Sequence, residues 1–367
     1  MPTPLSLWKR LANCRLAERG AALWRRLLAK TRGRQFRQRC KLIAFPLSLG
    51  LACCLTQQVL RAGLRRSLTG TVGLCNRVVS GKINAEVLIL GSSRAFVHFD
   101  PAIIERHTGK SAFNLACDGT RPDFQLAFLQ TYLRHNRRPE YLALAVDVTS
   151  FQGAGGIPNS GLYVAFLDQP EIFAALRREG KRWLLARYFP LIAIAQDRGI
   201  ATFYGLKRER AAIEAVRGLL GWHRPEFLRE GYLPVDLEWR EDFEQFKKQN
   251  PNGARVQIGS TGIANMRKIL ELCGRLQIRV ILVYPPEYQE SQAFCVNRRE
   301  VFQKFESLAR EFQVPFWDYS AHPLCADRTF FYNSQHLNVR GATRFSEDFA
   351  RRLEDVVRQP GQAWPPP

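Results

Sequence analysis

Three runs of nearly continuous apolar residues fall close together in the chain, at 85–90 (AEVLIL), 111–116 (SAFNLA) and 141–148 (YLALAVDV). A strand with one wet face alternates apolar and polar residues, so unbroken runs suit strands buried on both faces of a parallel sheet. Between the first two runs, Asp100-Pro101 supplies a helix start, Asp as N-cap and Pro at the first helical position. Between the second and third, Asp123 is read as capping a helix through about His135, with apolar residues from Phe124 to Leu133. Strand, helix, strand, helix, strand in so short a span predicts a right-handed parallel α/β fold.

That rhythm breaks over about 150–260. Here amphipathic, aromatic-rich pieces (172–188 and 208–220) and the polar stretch Gln249-Asn250-Pro251-Asn252-Gly253 read as an insertion over the cleft. It then resumes with a helix at 261–276, a strand at 280–284 (VILVY), a helix at 297–312, a short strand at 315–317 and a last helix from about 340 to 357. The sequence therefore predicts one three-layer α/β domain over 82–360, a linker at 61–81 before it and a Pro-rich tail at 361–367 after it.

The net charge of +21 is unevenly placed: residues 1–69 hold 15 Lys or Arg against the single acid Glu18. A nucleic-acid-binding domain spreads its basic residues over a folded face. Here the excess flanks an apolar stretch, Leu42 to Leu60, which argues for a membrane and against nucleic acid. The stretch reaches the roughly 17–25 residues needed to span only by including Pro46, Gln57 and Gln58, so the alternatives are a spanning helix and an interfacial or buried one. Twelve Lys or Arg precede it from Lys9 to Lys41, whereas Arg61, Arg65 and Arg66 follow. The positive-inside rule then places 1–41 in the cytoplasm, makes 42–60 an uncleaved anchor in the inner membrane and puts the large domain outside. Residues 6–28 read as a basic amphipathic helix on the inner leaflet or as a basic tail.

Two segments carry the candidate chemistry. Gly91-Ser92-Ser93-Arg94 directly follows the first strand, where open parallel sheets place their ligands. His336 lies in FYNSQHLNVRGA, just before the final helix, and its ordinary pKa suits a general base for a serine. The nine cysteines form no CxxC and no Cys/His metal spacing. Cys295 and Cys325 bracket the helix at 297–312, so the alternatives for them are a disulfide in an oxidising compartment and two buried thiols.

LILGSSRA, FNLACDG and FYNSQHLNVRGA, in that order, resemble the SGNH/GDSL hydrolase superfamily. The likeness is to its membrane-anchored bacterial branch, with its DltD-like and alginate O-acetylation-like proteins. It covers 83–150 and 261–350 and implies an SGNH-type fold. It implies Ser93 as nucleophile, His336 as base, and the N–H groups of Ser93 and Gly119 as oxyanion-hole donors. Three departures accompany it. Ser92 stands where the family has Asp, Val146-Asp147-Val148-Thr149 replaces G-x-N-D, and Asn333 stands where the triad acid is expected. Asp318 and Asp327 are the alternative acids. The resemblance implies an acyl esterase or O-acyltransferase. Its partners would be an acyl donor and a cell-surface polysaccharide, alongside other envelope-biosynthesis proteins, and Ser–His chemistry calls for no cofactor or metal. Asn333 favours the alternative of a degenerate carbohydrate-binding or assembly subunit. A reporter fused after Pro367 is expected to be active only outside the cytoplasm; a cytoplasmic signal would overturn the anchor and its orientation.

Overall fold

The computed structural model describes residues 34–68, 70–153, 156–158, 160–189, 191, 211–222 and 230–358. The expected amphipathic segment at 6–28 and the tail at 361–367 lie outside the described residues. The chain divides into two compact units at Thr56/Gln57.

Helix α1, Arg34–Arg66, contains one stretch, Cys40–Arg66, that is long and apolar enough to cross a membrane by length and composition. The linker expected at 61–81 is instead folded. The end of α1 and helix α2, Gly70–Val79, bury Leu64, Val72, Leu74, Cys75 and Val78 in the core of the large unit. The sequence GTVGLC is too rich in turn formers to announce a helix. Its apolar residues nevertheless recur on one face, and tertiary packing stabilises them there.

The large unit is built on five parallel strands: β1 (Val87–Leu90), β2 (Ala112–Asn114), β3 (Tyr141–Ala145), β4 (Arg279–Tyr284) and β5 (Phe316–Asp318), in the order β2-β1-β3-β4-β5. The register sets Leu88 beside Phe113 on one side and Leu142 on the other, and Leu142 beside Val280. Successive residues feed opposite cores. Leu88, Leu90, Leu142, Leu144 and Leu282 join one cluster; Val87, Ile89, Ala143, Ala145 and Val283 join the other. This is the double burial that the unbroken apolar runs predict.

Helices α3 (Ser93–His98) and α4 (Pro101–Thr108) follow β1, and α5 (Pro122–His135) follows β2. Asp100 caps α4 as expected, its Oδ1 accepting from the Ala102 N–H at 3.0 Å. Asp123 is not a cap: Arg121 holds that position with Pro122 first in α5, and Asp123 sits within the first turn. There its negative charge still complements the helix dipole.

The insertion contains a 3₁₀ turn (Ser160–Phe166), α6 (Pro170–Glu179), α7 (Arg182–Ala186), α8 (Ala211–Leu220) and α9 (Asp242–Gln249). Gly180 divides the helical piece expected at 172–188 into α6 and α7. Then come α10 (Ser260–Arg275), α11 (Gln289–Phe294) and α12 (Arg298–Phe312). A hairpin of β6 (Phe331–Asn333) and β7 (His336–Leu337) precedes α13 (Val339–Arg358).

Helix α13 seats Phe345 and Phe349 against Phe99, at ring-centroid distances of 5.0 Å each, and sets Phe349 against Trp317 at 5.6 Å. Phe349→Ala is expected to leave a cavity under β1 and β5 and to cost about 3–5 kcal/mol in urea unfolding followed by circular dichroism, with Phe349→Leu markedly milder. Equal stability of the wild type and the Ala variant would show that this aromatic cluster does not hold α13.

Candidate active site

Ser93 opens α3 immediately beyond β1, and its side chain is partly accessible while its neighbours Ser92 and Arg94 are buried. The helix is fixed from beneath by Asn114 at the end of β2. Its Nδ2 donates to the carbonyls of Ala95 (2.8 Å) and Phe99 (3.1 Å), and its Oδ1 accepts from the Ala116 N–H (3.0 Å). The asparagine of FNLA is thus a buried strut for the element that presents Ser93.

The block HLNVRGA is spent residue by residue on aiming His336. Leu337 is buried in the core, and its N–H donates to His98 Nε2 at 3.0 Å, which ties β7 to the end of α3. Burial, with the charge of Arg94, holds the His98 pKa well below the ordinary histidine value, so the ring stays neutral and can accept that bond. Asn338 accepts from the Gly341 N–H at 3.1 Å and so caps the first turn of α13, while its amide donates to the Thr329 carbonyl at 2.8 Å. The Tyr332 ring stacks on His336 at 5.5 Å. Two backbone bonds from the insertion, Arg240 N–H to the Tyr332 carbonyl and Val339 N–H to the Val235 carbonyl, brace the hairpin from outside.

These constraints bring His336 Nε2 to 2.8 Å from Ser93 Oγ, and His336 Nδ1 to 2.9 Å from Asn333 Oδ1. The tautomer follows from the wider network. Asn333 Oδ1 also accepts from the backbone N–H groups of Gln335 and His336, each at 3.0 Å. A flipped amide would set its NH2 group against those two donors, so oxygen faces the ring. The ring nitrogen opposite must then be Nδ1–H, which leaves the Nε2 lone pair for the Ser93 hydroxyl proton. Asn333 therefore orients the base as a carboxylate would, but brings no negative charge to stabilise imidazolium.

Burial drives the His336 pKa down to about 3, and the positive charge of Arg94 adds to the shift. The imidazole is neutral throughout the physiological range, as a proton acceptor must be. A base of so low a pKa is also a weak one.

Asp318 and Asp327, the alternative acids, do not reach His336. Both are exposed and turned to local bonds. Asp318 accepts from the N–H and Oγ of Ser320, and Asp327 caps the short turn at Arg328–Phe330 through the Thr329 N–H. The Cys295–Cys325 bridge is not formed either, and both thiols are free. Cys325 is buried with its Sγ 3.5 Å from the Tyr319 carbonyl, whereas Cys295 packs against the core that holds Leu88 and Leu142.

Ser93 lines a pocket of about 130 Å³ at the C-terminal ends of β1, β3 and β4, which it shares with Gly119, Thr120, Asp147, Glu287 and Gln335. The chain runs from β1 to β2 on one side and takes up β3 on the other, so the pocket lies at a topological switch point. Gly119 adopts φ 64°, the left-handed turn that favours glycine, and so brings its backbone to the pocket wall. Neither its N–H nor that of Ser93 has a hydrogen-bond partner among the described residues.

Asp147, at the exit of β3, accepts from Ser92 Oγ at 2.6 Å and from the Thr149 N–H at 2.8 Å. Its oxygens serve as acceptors for Ser92 and Thr149, so its bonds in the fold are not those of an oxyanion-hole donor. Ser92 and Asp147, at the exits of β1 and β3, thus pair with each other beside Ser93.

Sequence reasoning missed the buried charges of the pocket. The Arg94 guanidinium lies 3.2 Å from Glu287 and over the Tyr284 ring at 4.5 Å, and it donates to the Pro285 carbonyl. Burial works to lower its pKa, but Tyr284, Glu287 and Asp147 outweigh it and raise the value, so Arg94 remains a cation at the site. A signal existed. Glu287 follows the strand VILVY by three residues, the same position relative to β4 that Ser93 holds relative to β1.

Fold and site together define a parallel α/β protein with a Ser–His pair at the C-terminal edge of its sheet. No protein-family model matches the chain, and no curated protein matches it. Among solved structures it is similar to a protein of Bacteroides fragilis NCTC 9343 provisionally described as an acylhydrolase. The two share 10% identity and a TM-score of 0.33, over 73% of this chain and 87% of that one. So distant a likeness leaves the assignment to the site itself.

Asn333→Asp is expected to raise ester turnover, by up to about 10⁴-fold on the scale set by the reverse change in serine proteases. It should also move the acid limb of the pH–rate profile upward, because a carboxylate beside Nδ1 stabilises the protonated ring. The wild type, with His336 titrating at about 3, should show no loss between pH 7 and 5. Asp318→Asn and Asp327→Asn should leave the rate within a few-fold. A wild-type acid limb near pH 6.5 would contradict this account of the base.

Proposed function

We propose that the protein is a membrane-anchored serine esterase or O-acyltransferase that acts on short acyl esters of a cell-envelope polysaccharide. The observation that carries this reading is the Ser93–His336–Asn333 relay, with its distances of 2.8 and 2.9 Å, opening on a pocket beside two unengaged N–H donors. Ser93 Oγ attacks the acyl carbonyl while His336 Nε2 takes its proton. The N–H groups of Ser93 and Gly119 face the resulting oxyanion. His336 then protonates the leaving alcohol as the ester C–O bond breaks, which leaves an acyl-serine. A sugar hydroxyl or a water gives its proton to His336 and attacks the acyl group, and Ser93 recovers its hydroxyl.

The pocket's size and polar lining favour a short acyl group over a long hydrocarbon chain. A second cavity of about 350 Å³ shares Val148, Thr149, Glu287 and Gln335 with it and adds Gln152, Asn250, Arg255 and Phe246. Amide, guanidinium and aromatic side chains of this kind suit an acceptor sugar. Transfer over hydrolysis, the DltD-like or alginate-acetylation kinship, the inner-membrane location with the domain outside and the dealings with other envelope-biosynthesis proteins rest on the sequence resemblance and on the charge about α1.

The alternative, a degenerate carbohydrate-binding or assembly subunit, is favoured by one observation: the base is weak and uncharged support replaces the carboxylate. The two readings separate on covalent chemistry. With a fluorophosphonate probe and a simple acetyl ester, the wild type is expected to label at Ser93 and to turn over. Ser93→Ala and His336→Ala should each abolish turnover, with little further loss on combination, because residues acting as one unit are non-additive. A chain that neither labels nor hydrolyses, yet retains polysaccharide binding after Ser93→Ala, would establish the binding subunit.

A further inference from the structure

Helix α8 is inside out for a water-soluble protein. Its buried positions are Ala211, Glu214, Ala215 and Gly218, while Ile213, Val216 and Leu220 face outward. Small residues and an acid point to the protein, and large hydrocarbon side chains point away from it. The reason for the small residues lies in the partner, the end of α1. A Cβ on Gly63 would collide with the Ala215 carbonyl, and one on Gly218 with the Gly63 carbonyl, so the two helices cross backbone to backbone. Close crossings on Gly and Ala are the packing that helices use in lipid, where hydrocarbon burial gives no drive to association. Glu214 is satisfied inside by Ser67 Oγ at 3.2 Å and by Arg217.

The segment around α7 repeats the pattern. Trp183 and Ala186 are buried, whereas Leu184, Leu185, Tyr188 and Phe189 are exposed, Leu185 by 56% and Tyr188 by 71%. Gln57 on α1 donates to the Tyr188 carbonyl at 3.3 Å, so this segment too is fastened to α1. Trp222, just past α8, is 67% exposed, and Val59 and Leu68 are open beside these elements. The surrounding charge is mainly positive: Arg66, Arg177, Arg178, Lys181, Arg182 and Arg187 are all exposed, against Glu179, paired with Arg182, and Asp168, paired with Arg65. Exposed apolar residues scattered singly are ordinary, but two outward apolar faces fastened to the same end of α1, with cations and aromatic rings among them, are not.

We propose that the outward faces of α7 and α8, with Tyr188, Phe189 and Trp222, lie in the interfacial layer of an anionic bilayer, the same bilayer that α1 enters. This rests on the reading of α1 as an anchor. Tyr and Trp sit at headgroup level, the aliphatic side chains reach the acyl boundary, and the arginines meet anionic head groups. The occupant is lipid because these elements are fastened, at Gln57 and Gly63, to the one helix of the described residues with the length and composition to cross a membrane.

The test uses the full chain in vesicles of phosphatidylethanolamine and phosphatidylglycerol containing a phospholipid with a photoactivatable diazirine in its acyl chain. After illumination, peptides covering 184–189 and 213–222 should carry label together with those from 40–60, while peptides of α13 remain clean. Ile213→Gln, Val216→Gln and Leu220→Gln combined replace side chains that are already exposed. That variant should fold and keep its basal esterase activity, yet lose labelling in 213–222 several-fold with 40–60 unchanged. Label confined to 40–60 would overturn the proposal and leave the anchor standing, whereas label in none of the three would remove both. A detergent-stable dimer that disappears in the triple variant would assign the patch to a second copy of the chain and overturn the lipid assignment.

Discussion

A parallel sheet covered on both faces leaves polar side chains nowhere to go but the ends of its strands. Here the strand interiors are hydrocarbon on alternate faces, with Leu88, Leu142 and Leu282 turned one way and Ile89, Ala143 and Val283 the other. Every group that could do chemistry is therefore pushed to the exits: Ser92 and Ser93 after β1, Asp147 after β3, Glu287 after β4. The hairpin carrying His336 reaches the same edge from the far end of the chain, since β7 is tied to α3 through His98. The active pocket is a consequence of how the core is filled.

Electrostatics at that edge is a balance between two requirements. For His336 to act as a base it must be neutral, and burial beside Arg94 favours the neutral ring. It must also be strong enough to take a proton from serine, and that requirement normally falls to a buried carboxylate. Asn333 meets only the geometric half of it, because three N–H donors converge on its single oxygen and fix the tautomer. The buried cation Arg94 is in turn kept charged by Glu287, itself shared with Arg298. An ion pair so deeply buried adds little net stability, but removing one member leaves an uncompensated charge at a typical cost of 3–5 kcal/mol. Its place in the pocket wall makes it part of the site's field, where the missing carboxylate would otherwise dominate.

The elements packed on the end of α1 reverse that arrangement. Small residues packed inward and large apolar ones outward are costly in water, a cost that the lipid contact proposed above would remove. The segment at 61–81 is not a tether but part of the core, with Leu64 and Val72 fully buried.

The strands and most helices were legible in the sequence because double burial writes an unbroken apolar run, and a cap such as Asp100 writes a helix start. Ser93 and His336 were legible because each sits at a strand exit or helix entry that the pattern marks. The charge beside α1 likewise reads directly from the counts of Lys and Arg. What the sequence left open needed three dimensions. Asn333, with Asp318 and Asp327 as alternatives, was a candidate to face His336 until the hairpin put it at 2.9 Å. The direction in which Asn333 points was undecided until two backbone N–H groups fixed its oxygen. The two cysteines fit a bridge on paper and turn to different partners in space. Arg94 and Glu287, far apart in sequence, became a buried pair only when β1 and β4 were drawn to one pocket. Periodicity records which side a residue faces, because burial is a property of its own element. Which groups then meet is set by the packing of elements against one another, and one chain's sequence holds no local record of that.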